Sequence, residues 1–185
     1  MHEIKPMVYS ALFVALIACG AFMAIPVGPV PIVMQNLFVL LAGLVLGPVW
    51  GLTAVCTYLL IGLAGLPVFA GGTAGIGRLF GPTGGYLLGY MPAIWLTAWL
   101  SQKFRPSLMT DIAALMAGSI MIYAVGVPWL KFAFAMPWSK AVAAGMLPFL
   151  IGDALKIAVA ATIAPRIRAR IGIAARARKE QALDS

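Results

Sequence analysis

Charge is what this 185-residue chain has least of. Only 10% of its residues are charged and only five are acidic, against 63% hydrophobic residues and a mean hydropathy of +1.02. A soluble domain carries roughly 25% charged residues. A water-soluble fold of this size also has too much surface for its volume to hide so much apolar area. A soluble enzyme and a disordered chain are therefore excluded. His2 is the sole histidine, and Cys19 and Cys56 are the only cysteines. That leaves no metal-ligand cluster and no disulfide scaffold. No internal repeat is evident, so the inverted-repeat design of many carriers finds no support.

Continuous apolar runs, such as ALFVALIACGAFMAI and MLPFLIGDALKIAVAATIA, fill most of the chain. A membrane β-barrel would show short alternating segments instead. The expected fold is an all-α integral membrane protein, one six-helix membrane domain over residues 1–185. Six crossings of about 20 residues use about 120, leaving about 65 for loops and ends. Hydropathy places the spans near 7–26, 34–47, 49–66, 85–102, 111–130 and 145–165. The first is read as a retained helix, since Glu3 offsets Lys5 and leaves a weak signal-peptide start.

The net charge of +8 is concentrated at one end. Arg166, Arg168, Arg170, Arg176, Arg178 and Lys179 form a basic tail from about residue 166, beside the last span. This is a membrane-side signal rather than a nucleic-acid surface, and it suits anionic lipid head groups. With the tail inside, inner segments hold nine cations and outer loops three, Arg78, Lys131 and Lys140. Both termini are expected in the cytoplasm.

Between the third and fourth spans lies GGTAGIGRLFGPTGG, with seven glycines in 15 residues and Arg78 as its only charge. Ile76, Leu79 and Phe80 point to an outer loop that folds back onto the bundle as a lid, rather than to a flexible linker. Gly72 to Leu79 imitates a phosphate loop, but Arg78 and Leu79 stand where Lys and Ser or Thr are needed. Nucleotide binding by this chain is excluded. Any ATP would be hydrolysed by a partner, and the chain itself is not read as an enzyme.

The strongest signal is Asp153 and Lys156 within the last apolar run. Charges at membrane depth are costly and normally face a bundle interior or a wet cavity. Spaced by three, the two lie on one helix face. A self-neutralising structural pair is the bland reading. A polar lining for a ligand is the preferred one, because a merely structural pair could be replaced by apolar residues at little cost. Gln35 and Asn36, opening the second span, offer amide donors and acceptors. They could equally be solvated or cap a helix there. Tyr58, Phe69, Tyr86, Tyr90 and Trp129 fall near expected outer ends, where aromatic belts explain most of them. Intramembrane proteolysis fails, since Asp153 lacks a second carboxylate and no span holds a histidine. Ala11, Ala15 and Cys19 recur every four residues in the first span. Small residues so spaced allow close helix contact, either within the bundle or against a partner.

Together, VPIVMQNLFVLLAGLVLGPVWG, YLLIGLAGLPVFAGGTAGIGRLFGPTGGYLLGY and PFLIGDALKIAVA resemble the BioY family, the biotin-binding S components of energy-coupling factor (ECF) transporters. The resemblance runs from the first span through the sixth. It implies a six-helix bundle in a bacterial cytoplasmic membrane that holds biotin near the outer face. The implied partners are a transmembrane coupling protein and two ABC-type ATPases, with no cofactor. Ala11, Ala15 and Cys19 fall where the family docks its partner, with cysteine replacing alanine at the last place. A lone chain could dimerise through that same face.

By the same resemblance, Asp153 would accept a ureido N–H and Lys156 would assist. Gln35 matches a family glutamine, and Arg78 would pair the valerate carboxylate. Tyr86 and Phe69 would pack on the rings, with Gly84 and Gly85 belonging to the same site. The loop after Phe69 lacks an asparagine where some relatives carry polar ureido ligands; either Asn36 substitutes or that contact is absent. A self-sufficient facilitator or ion-coupled carrier, using Asp153 and Lys156 as a relay, is the competing reading.

Overall fold

The computed structural model describes residues 4–26 and 28–171. Helix α1 (Ile4–Phe22) leads through a two-stranded antiparallel ribbon, β1 (Ala24–Ile25) and β2 (Ile32–Val33), into α2 (Gln35–Leu63). Residues 64–83 join α2 to α3 (Gly84–Lys103) and contain one 3-10 turn, Ile76–Arg78. Then come α4 (Leu108–Ala133), the short α5 (Trp138–Gly145), and α6 (Leu150–Ile171). Among the described residues, α1, α2, α4 and the stretch from Trp138 to Ile171 are each long and apolar enough to cross a membrane.

The 29 residues of α2 are not one straight rod. Gly47 breaks the helix with φ 82° and ψ −177°, a conformation that glycine adopts freely, and Pro48 follows. Gly43 and Gly51 then lie against each other, so the chain doubles back and α2 is a helical hairpin. The expected spans at 34–47 and 49–66 fall on its two limbs. Helix α1 packs on this hairpin, with the Ser10 hydroxyl donating to the Trp50 carbonyl at 2.7 Å.

Helices α3 and α4 share the most extensive seam in the bundle. Their backbones approach so closely that a Cβ on Gly85 would strike Trp129, and one on Gly126 would strike Tyr86. Membrane bundles rely on this close contact because lipid supplies no hydrophobic drive between helices. Helix α6 closes the bundle against α2 and α4. It buries Asp153, Lys156, Ala160 and Ala164 while exposing Ile151, Leu155 and Ile163. Polar inside and apolar outside is the arrangement a lipid environment selects.

Two expectations need correction. The basic tail does not begin at 166, because α6 continues to Ile171 and carries Arg166, Arg168 and Arg170. Arg168 is no tail cation. It turns inward to an ion pair with buried Asp111 of α4 and a hydrogen bond to Ser101 of α3. Arg176, Arg178 and Lys179 lie outside the described residues. The interleaved apolar residues of the glycine loop also fail to fold back as a set. Leu79 is half-buried, while Ile76 and Phe80 are 63% and 71% exposed.

Candidate functional site

One end of the bundle holds a cavity of about 560 Å³, counting its open mouth. Its wall comes from four places: Val30, Pro31 and Val33 around the β ribbon, Gln35 and Asn36 at the start of α2, Phe69 to Arg78 of the loop, and Tyr86, Leu87 and Tyr90 of α3. Tyr123 and Phe149 complete it from α4 and the entry to α6.

Few polar groups reach this cavity, and they differ in how free they are. Gln35 is 2% exposed, and its Nε2 has at most the neighbouring Tyr58 oxygen as a partner, which leaves at least one N–H unpaired. The Tyr58 hydroxyl beside it donates to the Val68 carbonyl at 3.0 Å. An unpaired buried donor costs about 1–3 kcal/mol, so its position on a cavity wall is informative. Asn36 accepts from the Tyr90 hydroxyl at 2.8 Å through one lone pair of Oδ1. Tyr86 is tied to the Gly145 carbonyl at 2.7 Å. Phe69 is buried and packs edge-on to Tyr58. Arg78 is half-buried on the loop and has no ion-pair partner among the described residues.

Behind this cavity lies a second, of about 230 Å³, lined by Asn36, Ser119, Asp153, Lys156 and apolar residues of α2, α4 and α6. Asn36 belongs to both walls. Asp153 is held from two sides. Lys156 donates to Oδ1 at 3.1 Å, and the Tyr123 hydroxyl makes a short hydrogen bond to Oδ2. Ser119 approaches Oδ2 at 3.5 Å, the outer limit for such a contact.

The fold thus brings Gln35, Asn36, Phe69, Arg78 and Tyr86 to one cavity, and Asp153 and Lys156 to the chamber behind it. Gly84 and Gly85 line neither. Gly84 sits against the Leu79 carbonyl and Gly85 against Trp129, so both serve close packing. Ala11, Ala15 and Cys19 are exposed on one face of α1 and pack against nothing inside the bundle. Sequence reasoning missed Tyr123 and Ser119. Their spacing of four puts both on one face of α4, a signal that was available. Nothing in the sequence linked Asp111 to Arg168, 57 positions away.

Fold and cavity define a helical membrane protein with a cavity at one end of its bundle. Residues 1–173 match the BioY family. The chain is 42% identical over 164 residues to the biotin transporter BioY of Thermotoga maritima, covering 89% of this chain and 96% of that one. It is 41% identical over 158 residues to the probable biotin transporter BioY of Pyrococcus horikoshii, covering 85% and 93%. In structure it is similar to the S-component for biotin from an ECF-type ABC transporter, with a TM-score of 0.84 at 32% identity, covering 90% and 92% of the two chains. The chain belongs to the BioY family, and is a multi-pass membrane protein of a transport family.

Proposed function

We propose that this chain is the biotin-capture subunit of an ECF-type uptake transporter. The observation that carries the reading is the incompletely paired Gln35 amide on the wall of a largely apolar cavity, beside Asn36. Biotin fits that chemistry. Its ureido ring has two N–H donors and a carbonyl acceptor, its thiophane ring is apolar, and its valerate is anionic. The ureido ring seats deep, where Gln35, Asn36 and the Asp153–Lys156 pair converge from both walls. Asp153 accepts one N–H and Lys156 assists. Phe69 and Tyr86 flank the rings. Arg78 meets the carboxylate at the mouth, a charge-assisted contact.

The two limbs of α2 count as separate crossings, so six segments span the membrane in one domain with both termini inside. The glycine-rich loop then lies outside, over the cavity. Energy comes from a transmembrane coupling protein and two ABC-type ATPases. The exposed Ala11, Ala15 and Cys19 face of α1 is where the coupling protein docks, since small residues permit close approach. The chain performs no hydrolysis itself.

The test is equilibrium binding of labelled biotin to the detergent-purified chain, with desthiobiotin, thiamine and riboflavin as competitors. Saturable binding displaced by desthiobiotin alone is expected. A folded chain that binds no biotin ends the reading. Vesicle uptake separates the carrier alternative: dependence on added ATPase partners supports capture, whereas uptake by this chain alone that collapses with a protonophore supports ion coupling.

A further inference from the structure

We infer that Tyr123 is a positioning residue that aims the Asp153 carboxylate into the ligand chamber. The inference rests on the proposed biotin site and adds to it a residue with a different task. Asp153 has two surroundings to choose from. It lines the inner chamber with Asn36 and Lys156, and it also lines an apolar groove of about 840 Å³ on the outward side of α4 and α6. The Tyr123 side chain lines the groove and the outer cavity, and its hydroxyl holds Oδ2 of Asp153.

Lys156 cannot settle the choice alone. It sits on the same helix as Asp153, three residues on, and travels with it. The contact to Oδ2 comes from another helix, and its origin is braced. The Tyr123 ring packs edge-on to Tyr86 at 6.5 Å, and the Tyr86 hydroxyl is anchored to the Gly145 carbonyl. An arm thus runs from Gly145 through Tyr86 and Tyr123 to the carboxylate, fixing its plane relative to α3 and α4.

Acceptor counting sharpens the role. An ionised carboxylate offers about four lone-pair sites. Lys156, Tyr123 and, weakly, Ser119 occupy three. One remains for a ligand N–H, and its direction is set by where the Tyr123 hydroxyl holds Oδ2. A ligand with two N–H groups on one ring must place the second elsewhere, and the free lone pair of Asn36 Oδ1 lies on the same chamber wall.

The experiment is a double-mutant cycle on biotin Kd with the full purified chain, by equilibrium dialysis up to millimolar ligand. It compares the parent chain, Tyr123→Phe, Asp153→Asn and the double variant, each checked by thermal unfolding. Tyr123→Phe keeps the ring and loses only the hydroxyl. It is expected to weaken binding about tenfold in the parent, and by less than twofold once Asp153→Asn has already removed the carboxylate. Such non-additivity marks residues that act through one another. The same loss in both backgrounds, or no loss in the parent, overturns the inference. Parent-like binding by Asp153→Asn overturns it too and removes Asp153 from the proposed site, while Gln35 and Arg78 variants report on the remainder. No binding by the folded parent chain overturns both readings. If Tyr123→Phe fails to fold, Ser119→Ala runs through the same cycle, with a loss of two- to threefold expected only beside an intact Asp153.

Discussion

Two buried carboxylate–cation pairs sit at opposite ends of this bundle, and their surroundings differ. Asp153 and Lys156 share one helix and adjoin a cavity that Asn36 and Ser119 also line. Asp111 and Arg168 come from α4 and α6, reach across to Ser101 of α3, and line none of the cavities described above. The first pair is costly for the fold, and empty space adjoins it. The second ties three helices together. A buried charge pair alone is weak evidence for either stability or function. What distinguishes the two is whether empty space lies next to it.

The comparison breaks most visibly at the clamp. Arg168→Ala leaves Asp111, 1% exposed, without its cation. Removing one partner of a buried pair costs about 3–5 kcal/mol. A large drop in the thermal unfolding midpoint is expected, with the biotin affinity of the folded fraction changed less than twofold. Lost affinity at an unchanged midpoint would put Arg168 in the ligand site instead.

Gln35→Leu acts in the opposite sense. It removes a buried amide with at least one unpaired N–H, so the ligand-free chain should unfold at an equal or higher temperature. Biotin affinity should fall about fivefold, the worth of one hydrogen bond near 1 kcal/mol. A variant that loses stability as well as affinity would show that the amide is satisfied within the fold. The smallest effect on binding is expected from Ala15→Trp on the exposed face of α1, within twofold of the parent. Partner-dependent uptake in vesicles should nevertheless collapse. Loss of binding itself would mean that this face serves the bundle.

Much of this was legible because a membrane makes polar residues conspicuous. Asp153 and Lys156 stand out in an apolar run, and their spacing of three already pairs them. The reversal at Gly47 and Pro48 coincides with the gap between two expected spans. The clamp was hidden by composition: Arg168 sits among arginines that read as an interfacial tail, and no spacing links it to Asp111. Tyr123 was hidden by statistics, since a tyrosine in a membrane helix is well explained by an aromatic belt. Gly84 and Gly85 have a packing role that the sequence did not reveal. Their place in a distinctive segment suggested ligand contact, while the backbone uses them to let α3 lie against the loop and α4.

The short first limb of the α2 hairpin has a consequence for depth. From Gln35 to Leu46 it has twelve residues, which rise about 18 Å. The hydrocarbon layer is about 30 Å thick. With the Gly47 reversal at the inner boundary, the proposed six-crossing arrangement sets the cavity floor roughly 12 Å below the outer one. A captured molecule has then descended more than a third of the barrier by diffusion alone. What an energised partner must move it past is the thickness of a short helix rather than that of a bilayer.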